Sequence, residues 1–218
     1  MIIGISGLAG SGKDTIGKIL VENFGYKRLS LATKVKDVVA DLFDWNRQDL
    51  EGLTESSRKW REEFIDPVHL LTPRKAMQKI GQGLKEVIDP RLWSNIIKSQ
   101  IIKQGLKNVV ITDVRFIDEI NMIRGLGGTI IRVQRGQMPQ WFRDIENAYK
   151  AYNENANERN TNLYMLALLA ADKLGVDKTE YSFIGPDNPS LILENIGTLE
   201  EFQQNVIEKM KEFLRKYE

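Results

Sequence analysis

The residues best equipped for chemistry stand near the start of the chain. Gly7-Leu-Ala-Gly-Ser-Gly12-Lys13 sets a glycine, four residues, a glycine and a lysine at the spacing of a phosphate-binding loop. Glycines let the backbone curl until successive N–H groups point inward, and the helix that follows adds its positive end. Gly10, Ser11 and Gly12 then offer backbone donors, and Lys13 brings a mobile point charge to the β- and γ-phosphates of a nucleotide. A glycine-rich turn without a ligand is the bland alternative. The context, with an apolar strand before and a helix after, favours phosphate. Asp14 stands where Ser or Thr usually offers a hydroxyl to Mg²⁺, and Thr15 comes one residue later. A carboxylate at 14 can hold the metal through water, act on the acceptor side, or favour a helix start through the dipole. All three readings stay open.

A phosphate loop says only that nucleotide is bound. A GTPase is expected to carry an Asn-Lys-x-Asp motif, which is not found. The β-branched run Val109-Val110-Ile111 leads to Asp113 and Arg115. An acidic residue at a strand end beside the loop can orient Mg²⁺ or polarise the attacking group. Arg115 can clamp an anionic acceptor with two hydrogen bonds. The competing reading is a strand-end turn with a surface ion pair. Thr72 and Pro73 make a good N-cap and first helical residue, which puts Arg74 beside a positive helix end. Arg74, Gln78, Gly81 and Lys85 share one face of that helix, and Ala76, Met77, Ile80, Leu84 and Val87 form its expected buried stripe. Gly81 and Gly83 cost roughly 1 kcal/mol each relative to Ala in a helix. A base read by the Gln78 amide accounts for them; so does close helix packing.

The elements that must position these groups alternate between strand and helix. Strands are expected over Met1–Ser6, Tyr26–Ser30, Asn108–Asp113, Thr129–Val133 and Leu191–Glu194. Helices are expected from Lys13 to Phe24, around Val35–Phe43, and from Thr198, where Glu201 completes a capping box. Leu199, Phe202, Val206, Met210 and Phe213 line one face of that last helix. Alternation of this kind predicts a parallel sheet covered on both sides. Two segments break the rhythm: 44–69, dense in charge, and 136–189, polar, asparagine-rich and interrupted by one apolar helix from Leu163 to Leu174.

Composition bounds the rest. The 218 residues suit one domain with insertions, and no apolar run reaches the roughly 18 residues of a membrane span. Met1–Ile5 is too short for a signal peptide. The chain has no cysteine, which excludes disulfides and thiolate metal sites and makes a cytoplasmic setting the simplest expectation. A net charge of +1 gives no basis for nucleic acid or an anionic membrane as partner. The single His69 has no second histidine or cysteine beside it and reads as surface or packing; Arg58, Lys59, Arg61, Glu62 and Glu63 read as a solvated helix face.

Taken together these blocks resemble the deoxynucleoside monophosphate kinases of bacteriophages. The resemblance rests on Ser11-Gly-Lys-Asp-Thr15, Ala32 with Lys36, Thr72-Pro-Arg74 with Gln78 and Gly81, Asp89-Pro-Arg-Leu-Trp93, Thr112-Asp-Val-Arg-Phe116 with Glu119, and Asn195-Ile-Gly-Thr-Leu-Glu-Glu-Phe202. It implies phosphoryl transfer from ATP, with Mg²⁺, to a deoxynucleoside monophosphate, in the host cytoplasm if the chain is phage-encoded. By that pattern the loop from Gly10 to Thr15 holds ATP, with Asn195 and Gly197 beside its adenine. Thr15 and Asp113 would serve the metal. Lys36, Arg74 and Arg115 would face the acceptor phosphate, with Gln78, Gly81 and Trp93 around its base. Lys13, Asp14, Asp113 and Arg115 are the expected catalytic set. The family's lid would lie in 136–189, with Arg135, Arg143 and Arg159 as candidates, although Glu180-Tyr-Ser-Phe replaces the histidine-containing stretch expected there. Family members are described as dimers, so a homodimer is an expectation with no interface legible in the residues.

The expected fold is a three-layer α/β/α sandwich of the P-loop NTPase type with about five parallel strands. It is expected as one domain, with core 1–43, 70–135 and 190–218, an acceptor-side insertion 44–69 and a lid-like insertion 136–189. The rival functions are another small-molecule P-loop kinase, such as one resembling dephospho-coenzyme A kinase, and a nucleotide-binding regulatory protein.

Overall fold

The computed structural model describes residues 1–217. Along the chain run β1 (Ile2–Ser6), α1 (Lys13–Phe24), β2 (Lys27–Leu29), α2 (Thr33–Phe43), α3 (Glu55–Glu63), α4 (Pro73–Val87), α5 (Leu92–Lys103), β3 (Val109–Ile111), α6 (Ile117–Gly125), β4 (Thr129–Arg135), α7 (Gln140–Glu154), α8 (Glu158–Lys173), α9 (Lys178–Tyr181), β5 (Leu191–Asn195) and α10 (Leu199–Leu214). These elements form two compact units, one of 1–29 with the chain from 101 onward, the other of 30–100.

The first unit holds one five-stranded sheet in the order β2-β3-β1-β4-β5, parallel throughout. All five expected strands are present. Every residue of β1 is buried, as a strand covered on both faces requires. Its side chains alternate between two layers. Ile3 and Ile5 pack with Ile16, Leu20, Phe202, Val206 and Met210, so α1 and α10 cover one face. On the other face a Cβ at Gly4 would strike Ile123 of α6 at 2.5 Å and Ile130 at 2.8 Å. Glycine there lets α6 lie close against the sheet. The outcome is the expected α/β/α sandwich.

α10 begins as its sequence predicts: Thr198 accepts from the Glu201 amide at 3.2 Å, and Glu201 Oε2 accepts from the Thr198 amide at 2.7 Å. Phe202, Val206, Met210 and Phe213 are buried, but Leu199 is exposed. The segment 136–189 differs from expectation, since it carries three helices instead of one. α7 is polar overall and buries Phe142, Ile145 and Ala148, which recur every three residues along one face. α8 starts at Glu158, capped by Asn157, and leaves Leu163, Leu166 and Leu169 exposed.

That segment is fastened to the sheet by charge. Arg132 of β4 is 2% exposed and bonds Asp187, which is fully buried; Arg132 Nε lies 2.7 Å from Asp187 Oδ2. Ser6 Oγ donates to the same carboxylate at 2.8 Å, and Arg132 also meets Glu146 of α7 and the face of Phe142. Burial depresses the Arg132 pKa, but the hydrogen bonds and charge of Asp187, with Glu146, outweigh it and leave the guanidinium more basic than usual.

The second unit is helical. Val35, Val39 and Ala40 of α2 pack with Leu50, Ala76 of α4 and Trp93 of α5. Beside them Trp45 stacks on Phe43 and meets Trp60 edge-on, and His69 sits against Phe43 with its Nδ1 2.9 Å from Asp66. Two expectations need correction. Val87 is 83% exposed, because the apolar stripe of α4 outruns the surface available to cover it. Arg61 is drawn inward, donating to the carbonyls of Leu50 and Glu51 at 3.3 Å, so the charged face of α3 is only partly solvated.

Candidate functional site

β1 sits between β3 and β4, and in a parallel sheet all strand ends of one polarity open on the same edge. Ligands of open α/β sheets bind in the crevice where the chain reverses its direction of strand addition. Here the segment after β1 is the glycine loop, and the segment after its neighbour β3 is the Thr112–Phe116 turn. Lys13 feels the charges of both Asp113 and Arg115.

The loop's glycines are required by its shape. Gly12 has φ +109°, and a Cβ there would lie 2.8 Å from Asn195 Nδ2 and 3.0 Å from the Phe202 ring. At Gly7, φ +145°, a Cβ would meet the Val133 carbonyl at 2.4 Å. The loop is therefore pressed against β4 and α10. Asn195, at the end of β5, donates to the Ser11 carbonyl at 2.9 Å. Gly10, Ser11, Gly12, Lys13, Asp14, Thr15, Arg135, Asn195, Gly197 and Leu199 line one cavity of about 320 Å³. Every residue named for ATP from the sequence therefore borders one cavity, and of the three lid arginines Arg135 joins them.

The donors fit a polyphosphate. Ser11 is 3% exposed and its Oγ has no hydrogen-bond partner, an orphan of the kind that a ligand oxygen satisfies. Lys13 folds back to donate to the Gly7 and Leu8 carbonyls at 2.8 and 2.7 Å. Burial chiefly, and the Arg115 charge next, lower its pKa to about 8 despite Glu180, Asp14 and Asp113. It is a lysine short of negative charge. Among the described residues no cluster of three His, Cys, Asp or Glu suits a metal. A nucleotide-borne Mg²⁺ needs no such cage, because phosphates and water fill most of its shell.

Asp14 pairs with Arg28 of β2, which also donates to Thr112 Oγ1 at 2.9 Å. Arg28 was not singled out from the sequence; a lone arginine in a three-residue strand carries no motif. Arg115 is held by its neighbours on several sides. Its backbone N–H donates to Glu119 Oε2 at 2.6 Å, and its Nη1 donates to Thr179 Oγ1 at 3.1 Å and Glu180 Oε1 at 2.7 Å. Glu119 is 6% exposed and also receives the Phe116 N–H at 3.0 Å. Burial pushes its pKa up to about 8 against the pull of those two amides, with the Asp113 and Asp118 charges adding to the rise.

Apart from Arg115, which belongs to the first unit, the acceptor residues named from the sequence lie in the second unit. Lys36 pairs with Glu51, which also meets Arg47, and Arg74 Nη1 lies 2.8 Å from Glu62 Oε1. Trp93 is 9% exposed and donates its indole N–H to the Gly81 carbonyl at 2.9 Å. A Cβ at Gly81 would lie 3.6 Å from Val35, ordinary contact, and one at Gly83 would touch nothing within 4 Å. Close helix packing therefore does not explain either glycine.

No family model matches the chain. It is 30% identical over 147 residues to a protein of Acanthamoeba polyphaga mimivirus that carries a provisional deoxynucleotide monophosphate kinase name, covering 62% of this chain and 74% of that one. It is 24% identical over 179 residues to the deoxynucleoside-5'-monophosphate kinase of Escherichia phage T5, covering 57% of this chain and 72% of that protein. A cytidylate kinase of Rhodopseudomonas palustris strain BisB18 is 33% identical over 101 residues, or 46% of each chain. No helix among the described residues is long and apolar enough to cross a membrane.

Proposed function

Since the chain belongs to the deoxynucleotide monophosphate kinase family, we propose that it transfers the γ-phosphoryl group of ATP to a deoxynucleoside monophosphate, releasing ADP and the deoxynucleoside diphosphate. The observation that carries the donor half is the cavity bordered by Gly10–Thr15, Arg135, Asn195 and Gly197, with the orphaned Ser11 hydroxyl buried in its wall. Asn195 and Gly197 flank the adenine in this reading.

Two polyanions must meet end to end, and a loose transition state places negative charge on the equatorial oxygens. The loop amides and Lys13 cradle the donor phosphates, and Lys13 turns from the Gly7 and Leu8 carbonyls to do so. Arg115 and Arg135 face the charge that develops on transfer. Thr15 and Asp113 would hold Mg²⁺, which would supply positive charge against the donor phosphates. Asp14, paired with Arg28, is assigned to shaping the loop's helix start. For the acceptor we assign Lys36 and Arg74 to the phosphate, exchanging their present carboxylate partners for it, and Gln78 with Gly81 to the base. Trp93 supports Gly81 from behind.

ADP release measured with ATP, Mg²⁺ and each of the four deoxynucleoside monophosphates tests the reading. Acceptor-dependent ADP with at least one of them is expected. Turnover with dephospho-coenzyme A alone, or ADP release indifferent to any acceptor, would overturn it.

A further inference from the structure

Glu180 stands where an anion belongs. Its Oε2 accepts the N–H of Ala9, an amide of the phosphate loop, at 2.6 Å. Its Oε1 accepts from Arg115 Nη1 at 2.7 Å, and its charge also acts on Lys13. The side chain is only 20% exposed, so this is a seated contact, not a surface encounter. Three cationic or donor groups that converge on a single anion position are thus met by one carboxylate of the protein itself. The carboxylate comes from α9, a single turn capped by Asp177, whose side chain takes the Thr179 N–H at 2.9 Å. The turn is anchored just downstream by the buried Phe183 and Ile184.

We propose that Glu180 is an internal stand-in for a phosphoryl group, occupying the Ala9–Arg115 position until a nucleotide phosphate displaces it. The inference rests on the phosphate-loop reading above and deepens it. A carboxylate and a phosphoryl oxygen are both charge-assisted acceptors, and both call on the single Ala9 N–H and on Arg115 Nη1. The chemical consequence is competition: each phosphate that binds must first release Glu180. The device keeps Arg115 paired without nucleotide, while the Glu180 charge only partly offsets that of Lys13. It also frees Arg115 Nη1 only once a phosphoryl group has taken over the Ala9 amide.

The test uses inorganic tripolyphosphate, which carries the phosphate chain without base or sugar. Binding is measured by calorimetry on the wild-type chain, on Glu180→Gln and on Glu180→Ala. Both variants are expected to bind tripolyphosphate about tenfold more tightly, the weight of one charge-assisted hydrogen bond no longer competed for. Unchanged or weaker binding would overturn the proposal and make Glu180 a positioning residue that the site needs. A second measurement requires no variant. Hydrogen exchange of the amides of α9 and its C-cap, Glu180 and Ser182 among them, is expected to speed up when tripolyphosphate binds the wild-type chain, although ligands ordinarily slow exchange near their sites. Slower or unchanged exchange there would sink the idea. Kinase turnover is read separately: a chain that shows the tightening but no acceptor-dependent ADP release keeps this inference and loses the proposed reaction.

Discussion

The side-chain amide of Asn195 donates to the carbonyl of Ser11 at 2.9 Å, joining the end of β5 to a loop 184 residues earlier in the chain. That bond holds the phosphate loop from behind, and the same asparagine borders the cavity in front. A single side chain thus links the curvature of the loop to the wall proposed for adenine.

Asn195→Ala should therefore loosen the loop without unfolding the protein. The expected cost is about 1 kcal/mol of stability, one hydrogen bond's worth, together with weaker ATP binding. Thermal unfolding and ATP titration check this. ATP affinity equal to wild type would remove Asn195 from the donor site.

Lys13→Ala should lower kcat by about a hundredfold or more, as loss of a preorganised charge at the transferring group does, while the fold survives. The wild-type chain should also show a split response to pH. The lysine's pKa falls from 10.5 to about 8 on folding, so between those values the unfolded chain holds more protons and stability rises with pH. ATP affinity needs the charged form and should fall above pH 8 over the same range. Denaturant melts and ATP titrations from pH 7 to 10 separate the two trends, and parallel movement would refute the assignment.

Glu119 should give the opposite slope at lower pH. Its carboxyl titrates near 4.5 when free and about 8 when folded, so the folded chain keeps a proton that the unfolded chain releases. Its contribution to stability is complete below about pH 4.5 and is lost as pH rises toward 8. Glu119→Gln, which holds the Arg115 and Phe116 amides without titrating, should flatten that part of the stability profile. An unchanged profile would show that the buried carboxylate is already ionised.

Asp187→Ala removes the partner of a guanidinium that is 2% exposed. Truncating one half of a buried ion pair costs roughly 3–5 kcal/mol, and the low end is expected here because Glu146 still meets the guanidinium. The midpoint of denaturant unfolding should drop accordingly, with loss of the 136–189 helices first in hydrogen exchange. A loss below about 1 kcal/mol would mean that water reaches Arg132 readily.

The phosphate loop was legible because its requirements are local. Glycines at Gly7 and Gly12 answer to backbone angles and close neighbours, and a strand-loop-helix sequence suffices to suggest them. The five strands were legible for a similar reason, since buried parallel strands are short β-branched runs. α7 carries its apolar residues Phe142, Ile145 and Ala148 at helical spacing, but the polar, asparagine-rich composition around them reads as an insertion and hides the helix. Val87 was placed in the stripe of α4 because periodicity marks a direction around a helix but not where the covering surface stops.

The charged partners could not be read at all. Glu180 meets a loop amide 171 residues away, and Arg132 meets a carboxylate 55 residues on, with no motif at either distance. The order of residues alone determined the sheet and the glycine loop at its edge with Lys13 after it, since these follow from dihedral preference and hydrophobic period. The tertiary structure alone decided which carboxylate each buried cation meets. Ion pairing depends on distance and burial in three dimensions, and only a packed chain has either.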